Sequence, residues 1–176
     1  RRIIISSIEG YAPHKVIISD VLHEYSSIEN IQEDVVALLM NIKQLNIKCT
    51  RENEDEFVLE LNKKGKGLVS GKDLKLPGFV EILNPDMPLA HITGDQTLSL
   101  RIHVKKDVGY KTAAQLKQDL ASDDEVGAIF LDCVFSPIRK VSYRIENARL
   151  GNRTDLDKLI LNIKTDTTVD PIDIIR

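Results

Sequence analysis

The chain lacks the features that mark membrane proteins, secreted proteins and proteins that coat nucleic acid. Its longest apolar runs are far too short to span a bilayer. Only two cysteines occur, Cys49 and Cys133, and they lie far apart without metal-ligand spacing, which suits a reducing cytoplasm. A formal net charge of −3 and an isoelectric point near 5.8 argue against a broad basic face for nucleic acid.

The remaining composition is ordinary for a globular protein. Of the 176 residues, 42% are hydrophobic and 29% charged, and this length allows one domain or two small ones. Both ends predict a piece of a longer polypeptide. The first residues read as the middle of a helix, with Ile3, Ile4 and Ile8 on one face and Gly10 at its cap. Near the other end, Pro171 stands where a helix would begin.

Apolar spacing predicts one clear helix and many strands. The helix runs from Ile31 to about Lys43, with Asn30 and Glu33 as a capping box. Alternating apolar and polar residues predict strands at Phe57–Leu61, Thr97–Val104, Val141–Ile145 and Leu159–Ile163, with shorter ones at Lys15–Asp20, Leu45–Cys49, Phe79–Leu83 and Ala128–Phe135. Loops are predicted at Asn62–Gly78, Asn84–Pro88, Lys105–Gly109 and Ala121–Gly127. Many strands without regular strand–helix alternation predict the α+β class.

A lysine-rich segment resembles a phosphate-binding loop but departs from its pattern. The position that needs the first glycine is Lys66, and Asp73 follows Lys72 where a magnesium-binding hydroxyl is required. We therefore predict a flexible surface loop. A small phosphate- or nucleic-acid-binding module that uses this loop, residues 63–72, stays as the alternative function, and its candidate residues are Lys63, Lys64, Lys66 and Lys72.

Two acidic residues at i and i+2 suggest a third reading, a metal-dependent hydrolase. On a strand, Asp155 and Asp157 would share a face and offer oxygen ligands to a hard cation. A third ligand and a base are missing, and Arg153 and Lys158 predict local salt bridges instead. The four histidines, His14, His23, His91 and His103, show no zinc spacing. We predict no catalytic, cofactor-binding or metal-binding residue.

Several segments together carry a family resemblance. They are Arg1–Ser7, Val21–Ser26, Ile31–Asp34, Leu61–Lys63, Ser136–Pro137, Val141–Tyr143, Asn147–Arg149 and Arg153–Leu159. In this order they resemble the alpha subunit of bacterial and plastid RNA polymerase. The resemblance implies a dimerisation domain formed by the two chain ends, residues 1–9 and 136–176, truncated at both ends. A mostly β domain, residues 10–135, is inserted between them.

The resemblance also implies a function and its partners. The chain would be a non-catalytic subunit of DNA-directed RNA polymerase that dimerises and scaffolds assembly of the beta and beta-prime subunits. A second alpha copy, identical or paralogous, would complete the dimer. DNA would be reached only through the whole complex or through a C-terminal domain that this chain lacks. No cofactor and no membrane are expected, and the location would be the cytoplasm, at the nucleoid.

The resemblance assigns residues to two interfaces. The surface for the large subunits would comprise Arg2, Ile5, His23, Glu24, Tyr25, Gln32, Glu33, Asp34 and Lys43, joined by Arg153, Asp155 and Asp157. The dimer interface would use Ile3, Ile4 and Ile8 of the first helix, together with a helix that would follow Arg176. Arg and Tyr anchors around an apolar centre are typical of an interface core.

Overall fold

The structure is a computed structural model that describes residues 2–21, 23–51, 53–119, 125–150, 153–172 and 174, without the side chains of residues 2, 149, 150 and 153–155. The described helices are α1 (Arg2–Ser7), α2 (Val35–Lys43) and α3 (Ala113–Asp119), with a 3-10 turn at Gly71–Asp73. The described strands are β1 (Glu9–Ile18), β2 (Ile47–Cys49), β3 (Glu56–Lys64), β4 (Gly67–Ser70), β5 (Leu74–Lys75), β6 (Val80–Ile82), β7 (Pro88–Ile92), β8 (Thr97–Val108), β9 (Tyr110–Lys111), β10 (Ala128–Phe130), β11 (Cys133–Val134), β12 (Ile138–Leu150) and β13 (Arg153–Thr165).

Among the described residues 49% are strand and 15% helix, arranged in several sheets, which is consistent with the predicted α+β class. The largest, called here the main sheet, has the order β10-β1-β8-β3-β5 and is antiparallel throughout. At its centre, β8 buries alternate apolar side chains, as predicted from Thr97–Val104. The strand continues through Lys105–Val108, where a loop was predicted, because β1 pairs with these residues as far as Glu9. That loop prediction is wrong.

Helix α2 packs on β1 and β7 and buries Val35, Leu38, Leu39 and Ile42. It begins four residues later than predicted, because the preceding segment bonds to β7 instead. Ile31 forms a bridge with Ile92, and Gln32 N donates to His91 O at 3.0 Å. The predicted capping box at Asn30 and Glu33 is therefore wrong. The N-cap is Asp34, whose Oδ1 accepts from Ala37 N at 2.7 Å.

The lysine-rich segment predicted as a flexible loop is mostly ordered strand. β3 continues to Lys64, β4 pairs with β7, and β5 pairs with β3. The chain reverses at Gly65 and Gly67, whose φ angles of 88° and 147° favour glycine. Ser70 and Asp73 then cap the 3-10 turn. The prediction failed because short polar strands separated by glycines have the composition of a loop.

The first helix is shorter than predicted and Gly10 has another role. α1 ends at Ser7, so Ile8 lies outside it, and Gly10 belongs to β1 rather than to a helix cap. A Cβ atom built on Gly10 would lie 2.0 Å from the backbone oxygen of Phe135. Only glycine therefore fits where β1 passes the segment that leads into β12.

The strands β12 and β13 form a hairpin, called here the end hairpin, of thirteen residues each. Tyr143 opposes Leu161 and Ile145 opposes Leu159, so these side chains share one face. Tyr143, Ile145 and Leu159 are each more than half exposed. The hairpin makes its extensive contacts within itself and with α1. None of the described helices is long and apolar enough to cross a membrane.

We predict that Gly10→Ala lowers the free energy of unfolding by about 1–3 kcal/mol, because the new methyl group forces β1 away from Phe135. Urea unfolding followed by circular dichroism measures the change. Gly78→Ala is the matched control, since nothing lies within 4 Å of its Cβ position. Equal stability of the Gly10 variant and the control variant would contradict the close approach.

Candidate functional site

The structure brings two of the segments singled out in the sequence next to each other. His23, Glu24 and Tyr25 form a turn in which Ser26 Oγ donates to His23 O at 2.7 Å. Ser26 O in turn accepts from Val35 N at 3.4 Å, so the turn lies against the start of α2. We call the group His23, Glu24, Tyr25, Gln32 and Asp34, all exposed except the half-buried Glu24, the turn surface.

Tyr25 is the most prominent side chain of the turn surface, with 82% of its area exposed. Its hydroxyl lies beside Glu24, and hydrogen bonding to that carboxylate, together with its charge, raises the pKa of Tyr25. The phenol therefore stays neutral and keeps its donor at physiological pH. Such a ring combines a large apolar face with one polar tip, which suits a protein interface.

A groove of about 370 Å³ borders the turn. Its far wall consists of Ala113, Ala114 and Lys117 from α3 and of Ala128–Phe130 from β10. Helix α3 was not predicted from the sequence, although Thr112 and Gln115 form a capping box: Thr112 N donates to Gln115 Oε1 at 3.0 Å, and Gln115 N donates to Thr112 Oγ1 at 3.3 Å. That spacing was the available signal for the helix.

The start of α2 is fixed by its own hydrogen bonds. Glu33 is half-buried, and its Oε2 accepts from His91 N at 2.6 Å. Asp34 is exposed and caps the helix, while Gln32 presents its side chain to solvent. The side chain of Glu33 therefore hydrogen-bonds this segment to β7, whereas the side chains of Gln32 and Asp34 remain accessible to solvent.

Other predicted interface residues lie elsewhere. Lys43 ends α2, about 14 Å along the helix axis from Asp34 at 1.5 Å per residue. Ile5 lies on α1 and is partly exposed, and Asp157 is exposed on β13. The side chains of Arg2, Arg153 and Asp155 lie outside the described residues. Within the part of the chain that is described, the predicted surface is thus divided between the turn surface, the end of α2, and α1 with the end hairpin.

The three isoleucines predicted for a dimer interface do not form one helical stripe. Ile3 is 78% exposed, Ile4 is half-buried, and Ile8 is half-buried in the link between α1 and β1. The stripe failed because the helix ends at Ser7, where Ser7 Oγ donates back to Ile3 O.

Two of the four lysines of the alternative function are paired with acidic side chains. Lys63 Nζ donates to Asp73 Oδ2 at 2.8 Å and to Leu68 O at 2.7 Å. Lys72 pairs with Asp86. Burial favours the neutral acid of Asp73, but hydrogen bonds from Lys63 and from Ser70 N outweigh it and lower the pKa of Asp73. The ion pairs of Lys63 with Asp73 and of Lys72 with Asp86 therefore occupy two of the charges that a phosphate would need.

No group of three His, Cys, Asp or Glu side chains suited to a metal ion occurs among the described residues.

His14 lies fully buried at a β-bulge between Pro13 and Lys15. Its ring meets His103 edge-on at 6.3 Å, and Nε2 is 3.4 Å from Glu56 Oε1. Burial, assisted by the charges of His103, Lys105 and Lys15, lowers the pKa of His14 to about 4. The contact with Glu56 is therefore not an ion pair at neutral pH.

The family of RNA polymerase Rpb3/RpoA insert domains matches residues 15–136, more than two thirds of the 176 residues. The chain belongs to this family. It is an RNA polymerase alpha-type subunit, and the resemblance seen in the sequence is confirmed. The matched range contains the turn surface, α2, α3 and nearly all of the main sheet, whereas the end hairpin lies beyond it. The chain is therefore a member of a transcription complex with other subunits.

The burial of His14 predicts that the subunit loses stability in mild acid. Its pKa is about 4 when folded and 6.5 when exposed, so the unfolded chain binds the extra proton between these values. Stability is complete above about pH 6.5 and falls towards pH 4, by up to roughly 3 kcal/mol from this group.

Urea unfolding at pH values between 4 and 7 measures this dependence. His14→Gln should flatten the curve in that window, whereas the exposed His23→Gln should keep the wild-type slope. A His14 variant with an unchanged slope would contradict the assignment.

A second prediction concerns the cap of α2. Asp34→Ala should lower the free energy of unfolding by about 1 kcal/mol, because Ala37 N loses its acceptor. Asp34→Ser keeps a capping oxygen and should differ from wild type by only a few tenths of a kcal/mol, roughly. Thermal and urea unfolding provide the measurement, with Gln32→Ala as a neighbouring surface control. An Asp34→Ala variant as stable as wild type would contradict the assignment of Asp34 as the N-cap of α2.

Proposed function

We propose that this chain is the assembly subunit of its polymerase, which dimerises with a second alpha copy and holds the beta and beta-prime subunits without catalysing a reaction itself. The observation that carries the proposal is the family match over residues 15–136. Catalysis is then assigned to the large subunits, and DNA is reached through the whole complex in the cytoplasm.

The turn surface supports the proposed contact with a large subunit. An 82% exposed tyrosine beside a groove has the character of an interface anchor, because aromatic residues contribute strongly when they become buried between chains. The half-exposed Phe130 and the alanines of α3 give the far wall of the groove an apolar surface, and the charged Glu24 and Lys117 also line it. An apolar centre with a charged rim matches the usual anatomy of a protein interface.

The end hairpin and α1 support the proposed dimerisation domain of residues 1–9 and 136–176, with residues 10–135 inserted. The two elements pack on each other, although they are distant in sequence. A two-stranded hairpin is marginally stable alone in water, and this one exposes Tyr143, Ile145 and Leu159. An exposed apolar surface of this size is typical of a site that another polypeptide segment covers. Ile3, Ile4 and Ile8 remain our proposed contribution of α1 to the dimer.

The phosphate- or nucleic-acid-binding alternative is not favoured. Two of its four lysines form pairs with Asp73 and Asp86, and the segment is strand rather than an open loop. The net charge of −3 also opposes binding to a polyanion.

We expect Tyr25→Ala to weaken binding of a large subunit by at least about 2 kcal/mol, roughly thirtyfold in Kd, if the ring is buried there as an anchor. The measurement is an affinity titration of the alpha-type chain against beta and, separately, against beta-prime. Tyr110→Ala is the matched control, because Tyr110 is also exposed, on β9.

Circular dichroism and urea unfolding should show that both tyrosine variants fold as wild type does, since neither ring is buried. If Tyr25→Ala binds both large subunits as tightly as the control, the turn surface is not the docking site. If the wild-type chain binds neither subunit, the assembly role itself is wrong.

A further inference from the structure

Asn46 joins the loop after α2 to the base of the end hairpin. Its Nδ2 donates to Asp166 O at 3.0 Å, just beyond β13, and its Oδ1 accepts from Arg139 Nη2 at 3.5 Å, on β12. One side chain therefore contacts both sides of the hairpin base. The two bonds have opposite polarity, and the primary amide supplies a donor and an acceptor together.

The backbone of Asn46 is held equally firmly between α2, which packs on β1 of the main sheet, and the residues after β6. Asn46 N donates to Asn84 Oδ1 at 2.8 Å, and Leu83 N donates to Asn46 O at 3.0 Å. Asn84 Nδ2 in turn donates to Gln44 O at 2.8 Å, which closes the loop around the same residue. The amide of Asn46 thus projects from a fixed backbone.

Packing at the hairpin base is incomplete, although Ile138 and Val141 of β12 are buried there. A cavity of about 230 Å³ lies at the junction, with Lys43 and Ile47 on one side and Arg139 and Thr168 on the other. The contacts of the hairpin are chiefly between β12 and β13, with a smaller contact between β12 and α1. Beside this cavity, the hydrogen bonds from Asn46 to Asp166 and Arg139 add directional restraints to the burial of Ile138 and Val141.

We infer that Asn46 is a positioning residue that sets the angle between the end hairpin and the main sheet. Its consequence for assembly rests on the proposed function: a large subunit that touches both the turn surface and the hairpin needs the two at a fixed separation. Two linked contacts give their full joint affinity only when the geometry allows both at once. The chain would therefore use Asn46 to present two contact regions as one surface.

Substitutions at Asn46 separate its two bonds. Asn46→Ala removes both, while its backbone bonds to Asn84 and Leu83 remain. Asn46→Asp keeps an acceptor for Arg139 but sets a carboxylate oxygen against Asp166 O. Arg139→Ala removes only the longer bond and is the milder variant. Asn162→Ala, exposed on β13, is the matched control.

Pulsed electron paramagnetic resonance measures the angle directly. Spin labels are attached at Asp95→Cys, in the turn before β8, and at Lys158→Cys, on β13, both exposed. Cys49→Ser removes the half-buried native thiol from labelling. We expect the distance distribution to broaden and shift in Asn46→Ala and Asn46→Asp, to change less in Arg139→Ala, and to stay as wild type in Asn162→Ala.

Affinity for beta and for beta-prime is then measured with the unlabelled variants. We expect Asn46→Ala to weaken the complex that spans both regions by at least roughly tenfold, with circular dichroism unchanged. An unaltered distance distribution in Asn46→Ala and Asn46→Asp would overturn the inference. Should both variants fail to fold, an unaltered distribution in Arg139→Ala would overturn it as well.

A broadened distribution with undiminished affinity would refute the role in assembly. The distance measurement needs no partner, so it decides the positioning role even if the wild-type chain binds neither large subunit. That last result would count against the proposed function alone.

Discussion

The close approach of Gly10 to the backbone of Phe135 is the constraint on which the arrangement of the chain depends. β1 begins beside the segment that leads from β11 into β12, and Phe135 N donates to Gly109 O at 2.8 Å at the same place. Because the chain enters and leaves at one position, α1 and the end hairpin emerge together and can pack on each other. The residues between Gly10 and Phe135 form the main sheet, α2 and the turn surface.

Local patterns predicted the elements that local forces determine. The alternation in β8 and β3 was correct because each strand has one face on the core, which leaves a period of two in the sequence. The start of α2 was not predictable in this way. Residues before Asp34 satisfy their backbone groups with His91 and Ile92, and a contact some sixty residues away leaves no trace in a helical pattern. Helix α3 was missed because Leu116 is its one buried side chain, too few for a stripe.

The candidate site was predictable only in part. The segment His23–Tyr25 was recognised through its family resemblance, and the structure shows that it is exposed and adjacent to the start of α2. The groove required α3 and β10, about ninety residues further along, to approach it, and no spacing rule expresses that approach. Asn46 was equally invisible, because an asparagine after a helix is ordinary and its two hairpin partners lie far along the chain.

The pairing of the segment before α2 with β7 has a consequence for recognition. Because Ile31 and Gln32 are already bonded to Ile92 and His91, the backbone of this segment has little conformational entropy left to lose. The turn beside it is held in the same way through Ser26 and Val35. A partner that binds here orders side chains but not loops, so more of each contact's free energy appears as affinity. Association at such a rigid surface needs no folding step and depends on diffusion and orientation.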